Sequence, residues 1–136
     1  MNKGEIDLSK LIRSMRPTLH EGTYVFTTVP DLESIPPKEM VGFFREEEGF
    51  SVIVDQQKAE SLGLKHTFAA AWITLEVHSS LEAVGLTAAF STALSHEGIS
   101  CNVMAGFYHD HLFVAKEQKE KAMSILRNLQ EKGLTT

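Results

Sequence analysis

The chain has 136 residues, 43% of them hydrophobic, and carries 13 Lys and Arg against 18 Asp and Glu for a net charge of −5. This length suits one domain, or two very small ones sharing a core, and buries enough surface to fold without staples. The acidic balance without a basic run excludes nucleic-acid binding, the lone Cys101 excludes an intramolecular disulfide, and no apolar run approaches the ~20 residues of a membrane span.

The first ten residues, MNKGEIDLSK, hold no apolar h-region, so they are not a secretory signal and a cytoplasmic protein is expected. Leu8, Leu11, Ile12 and Met15 fall at i, i+3, i+4 and i+7, one apolar stripe on a helix over residues 7–15. Asp7 suits the N-cap, and Arg16-Pro17 ends the helix because proline disfavours α geometry at the residue before it. Thr23–Val29, TYVFTTV, is β-branched and aromatic and predicts a strand. PDLESIPPKEM carries three of the four prolines and reads as a loop with one helical turn. Val41–Glu47 and Phe50–Asp55 flank Glu48-Gly49 as a hairpin. A short helix, Gln56–Leu62, ends at Gly63.

Thr67–Val77 predicts a long strand, with Ala69, Ala71, Ile73, Leu75 and Val77 on an apolar face for helices to cover. Phe68, Ala70, Trp72, Thr74 and Glu76 form a mixed face, open to solvent or to a partner. Ser79–Glu97 predicts a helix opened by the capping box Ser79-x-x-Glu82 and stopped by Gly98, with Ala83, Leu86, Phe90, Ala93 and Leu94 as its buried stripe. Ile99–Phe107 and His111–Ala115 are strands around a turn at Tyr108–Asp110. Ala122, Ile125, Leu126 and Leu129 mark a last helix closed by Gly133.

The later half thus runs strand, helix, strand, strand, helix; the earlier half runs strand, loop, strand, strand, short helix. The expectation is an α+β protein of two ferredoxin-like halves, residues 1–63 and 64–136, with antiparallel sheets and helices on one face. Within 78–114, three stretches, HSSLEAVGLTAAF, GISCNVMAGFY and HDHLFV, resemble the ACT-domain family, in particular the paired-ACT subgroup that includes CASTOR-type arginine sensors. They cover about a quarter of the chain. The resemblance implies two ACT-type halves, and an amino acid bound between the strand-to-helix loop of one unit and the second strand of a neighbouring unit. In this sequence the loop is Ser79, Ser80, Val84, Gly85 and Leu86, and the strand positions are Asn102 and Val103. The sequence departs from the pattern in two ways: the loop lacks an Asp to hold the ligand's ammonium, and no strand follows the last helix, so that edge must be filled from the N-terminal half or by another subunit.

Gly85, read as lying in the first turns of a helix, costs roughly 1 kcal/mol against alanine there, so it calls for a reason. Close approach of a carboxylate to a helix start is one reason, and plain backbone packing is the other. His109 and His111 share a strand face and suit zinc, yet no spacing rule ties a third ligand to them. They also read as turn and edge residues. Cys101 lacks any nucleophile signature, there is no Gly-x-Ser-x-Gly elbow, and Glu46-Glu47-Glu48 reads as a solvated tip. The sequence therefore predicts a non-enzymatic module that binds an amino acid or related carboxylate for regulation, with no cofactor and no metal. Phe68 and Trp72 on the mixed face read as packed, or as an interface patch if exposed; that face, the unfilled edge and the family resemblance together lead to an expected homodimer. The alternatives are a purely structural or oligomerisation module, and a metal-dependent enzyme using His109 and His111.

Overall fold

The structure is a computed structural model that describes residues 7–77 and 83–133. Among these residues lie the α-helices α1 Leu8–Ser14, α2 Gln56–Ser61, α3 Leu86–His96 and α4 Lys119–Lys132. Seven strands accompany them: β1 Arg16–Leu19, β2 Tyr24–Val29, β3 Met40–Glu46, β4 Gly49–Asp55, β5 Ala69–Glu76, β6 Asn102–Ala105 and β7 Asp110–Ala115. The chain divides into two compact units, one of residues 21–71 and one of residues 1–20 with 72–136. Strand β5 supplies its first three residues to the former and the rest to the latter.

In the unit of residues 21–71 the strand order is β3-β4-β2-β5. β2 pairs antiparallel with β4 from Tyr24↔Asp55 to Val29↔Phe50, and with β5 at Tyr24↔Ala70 and Val25↔Ala69. Val25, Val29, Val52, Val54 and Ala59 form the core, plugged by Ile35 from the loop between β2 and β3. That loop contains a single 3-10 turn, Pro37–Glu39. Asp55 caps α2 by accepting from the Gln57 and Lys58 amides.

In the second unit the order is β1-β5-β7-β6. β1 runs antiparallel to β5 from Arg16↔Glu76 to Leu19↔Ile73, so the strand missing after α4 is supplied by the N-terminal segment of the same chain. Both units therefore show the strand order of a ferredoxin-like fold, α+β with antiparallel sheet and helices. The stripe expected on α1 is buried: Leu11, Ile12 and Met15 are fully enclosed, and the Asp7 carboxylate accepts from the Lys10 amide at 3.1 Å. Ile73, Leu75, Phe90, Leu94, Leu112, Ala122 and Leu126 complete this core.

Two expectations need correction. The helix expected over Ser79–Glu97 begins only at Leu86, because Gly85 takes φ +102°, a left-handed conformation that cannot continue an α-helix; its proposed capping box, Ser79 and Glu82, lies outside the described residues. The strand expected over Ile99–Phe107 is only Asn102–Ala105, because Ile99 closes α3 instead. Its amide donates to the Leu94 carbonyl while that of Gly98 donates to Ser95, a Schellman ending with Ile99 buried. Trp72 is packed, as its place on the mixed face allows: it stacks on His20 with centroids 3.6 Å apart and donates to His111 at 3.1 Å.

Candidate functional site

The loop into α3 sets the geometry of the expected site. Of its residues, Ser79 and Ser80 lie outside the described residues. Val84 is 83% exposed, Gly85 is the N-cap of α3, and Leu86 turns its side chain into the core at 3% exposure. Leu86 thus offers its backbone rather than its side chain. Gly85 brings no side-chain acceptor to the first amides of the helix, where N–H groups and the positive end of the dipole collect.

The glycine is demanded twice. Its φ of +102° is strained for any L side chain, and a Cβ there would stand 3.0 Å from Leu8 Cδ2 of α1. Leu8, Gly85, Ala88, Ala89 and Leu129 line a groove of about 480 Å³ beside the helix start. Leu8 was not legible as a neighbour of this loop, since 77 residues separate it from Gly85 and its helical spacing announces only burial.

Asn102 and Val103 stand on β6, the last strand of the order in this unit. Asn102 Nδ2 donates to the Phe113 carbonyl across the β6–β7 pair at 3.3 Å, which fixes the amide and leaves its Oδ1 out of that bond. Val103 is 37% exposed. The expected residues therefore occupy two places, the entry to α3 and the β6 strand.

His109 and His111 do not behave alike. His111 sits on β7, and its Nδ1 receives the Trp72 indole N–H at 3.1 Å and lies 3.0 Å from Thr74 Oγ1. His109 precedes the strand, with Nδ1 3.4 Å from the Val77 carbonyl. Among the described residues no three His, Cys, Asp or Glu side chains gather to hold a metal ion. Burial pushes the Cys101 thiol up to about 11, opposite to what a nucleophilic cysteine requires. Burial also raises Asp110, against the pull of nearby His109. On β5 the Thr18 hydroxyl, followed by the Arg16 guanidinium 3.3 Å away, holds Glu76 below the usual carboxylate range. No described helix is long and apolar enough to cross a membrane.

Comparison with known proteins gives the context for this geometry. Two ACT-domain models match, one over residues 3–71 and one over residues 68–128, and they meet in β5. A protein of unknown function from Vibrio cholerae, described as a possible transport protein, is 45% identical; the match covers 90% of this chain and 95% of that one, with a TM-score of 0.81. An Agrobacterium tumefaciens protein is 20% identical over 85% of this chain and 89% of its own, with a TM-score of 0.65. The ligand-free regulatory subunit of aspartate kinase from Thermus thermophilus shares the fold at 11% identity, covering 85% and 97% of the two chains with a TM-score of 0.58. No functionally curated protein matches the chain in sequence. With both halves matched and a relative aligned over nearly its full length, the chain belongs to the ACT-domain family.

Proposed function

We propose that the chain is a regulatory module that binds a small amino acid or related carboxylate at Ser79, Ser80, Val84, Gly85 and Leu86, with Asn102 and Val103 of a neighbouring unit completing the site. In this reading it is not an enzyme, it acts in the cytoplasm, and it stands with the paired, CASTOR-type members of the family. The observation that carries the proposal is Gly85. A glycine N-cap lets a carboxylate approach the first amides of α3 without a competing side chain. The groove beside it has room for a small apolar group. Asn102 Oδ1 is suited to an ammonium, in place of the Asp that this loop lacks. Structural relatives support a regulatory role: one is the regulatory subunit of an aspartate kinase, and another is Escherichia coli aspartokinase III in complex with aspartate and ADP.

Self-association belongs to the same proposal, although its grounds have changed. Trp72 is engaged within the unit, and β1 fills the edge that seemed open. What remains is β3, at the end of the order in its unit, with Phe43 48% and Phe44 67% exposed.

A thermal-shift screen of the common amino acids tests the proposal. A ligand at 100 times its Kd adds about 2.7 kcal/mol if it binds only the native state. Val84→Glu then places a carboxylate at the helix start on a residue that packs against little. It should weaken the bound amino acid at least tenfold, about 1.4 kcal/mol. No stabilisation by any amino acid, with light scattering reporting an oligomer, would favour the structural or oligomerisation alternative; no stabilisation with a monomer would sink both. Unchanged affinity in Val84→Glu would move the site elsewhere.

A further inference from the structure

On the face of β5 that carries Trp72 and Thr74, four side chains from three adjacent strands of one unit form a closed polar chain. His20, just after β1, places Nε2 2.7 Å from Thr74 Oγ1. Thr74, only 6% exposed, places the same oxygen 3.0 Å from His111 Nδ1 on β7. Trp72 donates to that same Nδ1 and stacks its ring on His20 with planes 10° apart. The other side of the His111 ring is confined too. A Cβ on Gly106 would come within 3.2 Å of Nε2 and 2.9 Å of the His109 carbonyl, so the glycine lets the β6–β7 turn close over the imidazole.

The donors in this chain fix the protons. An indole N–H donates and never accepts, so His111 Nδ1 must present a lone pair and the neutral ring carries its proton on Nε2. With Nδ1 as acceptor, the Thr74 hydroxyl donates to it and His20 Nε2–H donates to Thr74. Protonation then has opposite consequences for the two histidines. His20 keeps its donor on Thr74, and as a cation it gains a face-on contact with the indole. His111 gains an N–H aimed at another N–H. Thr74 can reverse its hydroxyl to meet it, but Trp72 cannot.

We propose that His111 is a proton-operated clasp between β5 and β7: neutral, it is tied to Trp72, and protonated, it releases the indole. The charged and titratable groups around it come from three segments. His109 and Asp110 lie on its own turn and strand, Glu76 on β5, and His20 and Arg16 on the β1 segment; β6, from Asn102 to Ala105, brings none that titrates. Burial, together with the positive charge of His109 and His20, holds His111 below its usual value near 6.5. The sign follows from linkage. The unfolded chain takes up the proton first as pH falls, so stability is full above about 6.5 and declines from there down to the native value. Below that value both states are protonated and the contribution stays lost.

Trp72 is the sole tryptophan, but His20 stacks on the same indole and burial holds it, too, below its usual value, so the emission test is run with His20→Gln already in place. A titration of full-length His20→Gln from pH 8 to 4.5 should show a change in emission with its midpoint below 6.5. Adding His111→Gln should abolish that step, with circular dichroism following the fold in each. A step that survives in the folded double variant, or no step in His20→Gln, would overturn the proposal. If either variant does not fold, nitrogen NMR of the wild-type imidazoles at pH 8 decides: a proton on His111 Nε2 supports the clasp, and a proton on Nδ1 refutes it.

Discussion

The two units arrange four strands in the same order, yet they fill the connection between the first and second strands differently. In one, β5 leads to β6 through the eleven-residue helix α3. In the other, β2 leads to β3 through a proline-rich loop with one 3-10 turn. The loop does the packing work of a helix with one fully buried anchor: Ile35, 1% exposed, sits among Val25, Val29, Val52 and Val54, with the partly buried Leu32 packed beside them. What the loop cannot reproduce is a row of amides converging on one end. The fold thus survives without the helix, while the glycine-capped helix start on which the proposed function rests lies in only one of the two units.

The sharpest way to break this comparison is to remove residues 1–19. Residues 3–19 fall within the first ACT match in sequence, yet the described part of the segment completes the second unit, supplying β1 and the buried Leu11, Ile12 and Met15. Their loss should abolish the cooperative unfolding of α3 and α4, read by circular dichroism. A truncated chain that still melts cooperatively with its helical signal intact would mean that β1 is dispensable.

Next in size, Ile35→Ala should cost about 2–5 kcal/mol by urea denaturation, the range for emptying a buried aliphatic site. A cost below about 1 kcal/mol would show that the loop is not the stand-in for a helix. Smallest, Gly85→Ala should cost about 1–2 kcal/mol in thermal melts, for forcing an L residue into left-handed geometry. Adding Leu8→Ala should remove the steric part and leave the backbone part. If Gly85→Ala is neutral, the helix start is softer than its φ implies.

Gly85, read from the sequence as a position in the first turns of a helix where alanine would be favoured, is instead the N-cap with φ +102°, so beside Leu8 any larger side chain strains the fold itself.

The long periodic elements were readable in advance. α1, α4, β2, the β3–β4 hairpin and β5 all follow from apolar spacing, which needs no knowledge of partners. What the sequence hid were features set by distant contacts. β1 is four residues long and begins Arg16-Pro17; proline marked the helix end correctly but masked a strand that is tolerated because it pairs on only one side. The Trp72–His111 bond spans 39 residues, and no local rule predicts it. Of the site, the glycine and the β6 residues were legible as types, while the φ at Gly85 and the reach of Leu8 required coordinates.

The pairing of Arg16 with Glu76 spans 60 residues, and that span has a kinetic meaning. During synthesis α1 and β1 emerge long before the strand that receives them. Until residues 72–76 appear, their apolar stripe has no place in its own unit, and the loop that must close is among the longest in the fold. High contact order of this kind slows folding and lengthens the exposure of sticky intermediates. The N-terminal segment therefore sets the pace at which the helix-bearing unit matures, and refolding should be slower than the chain's helix content alone would lead one to expect.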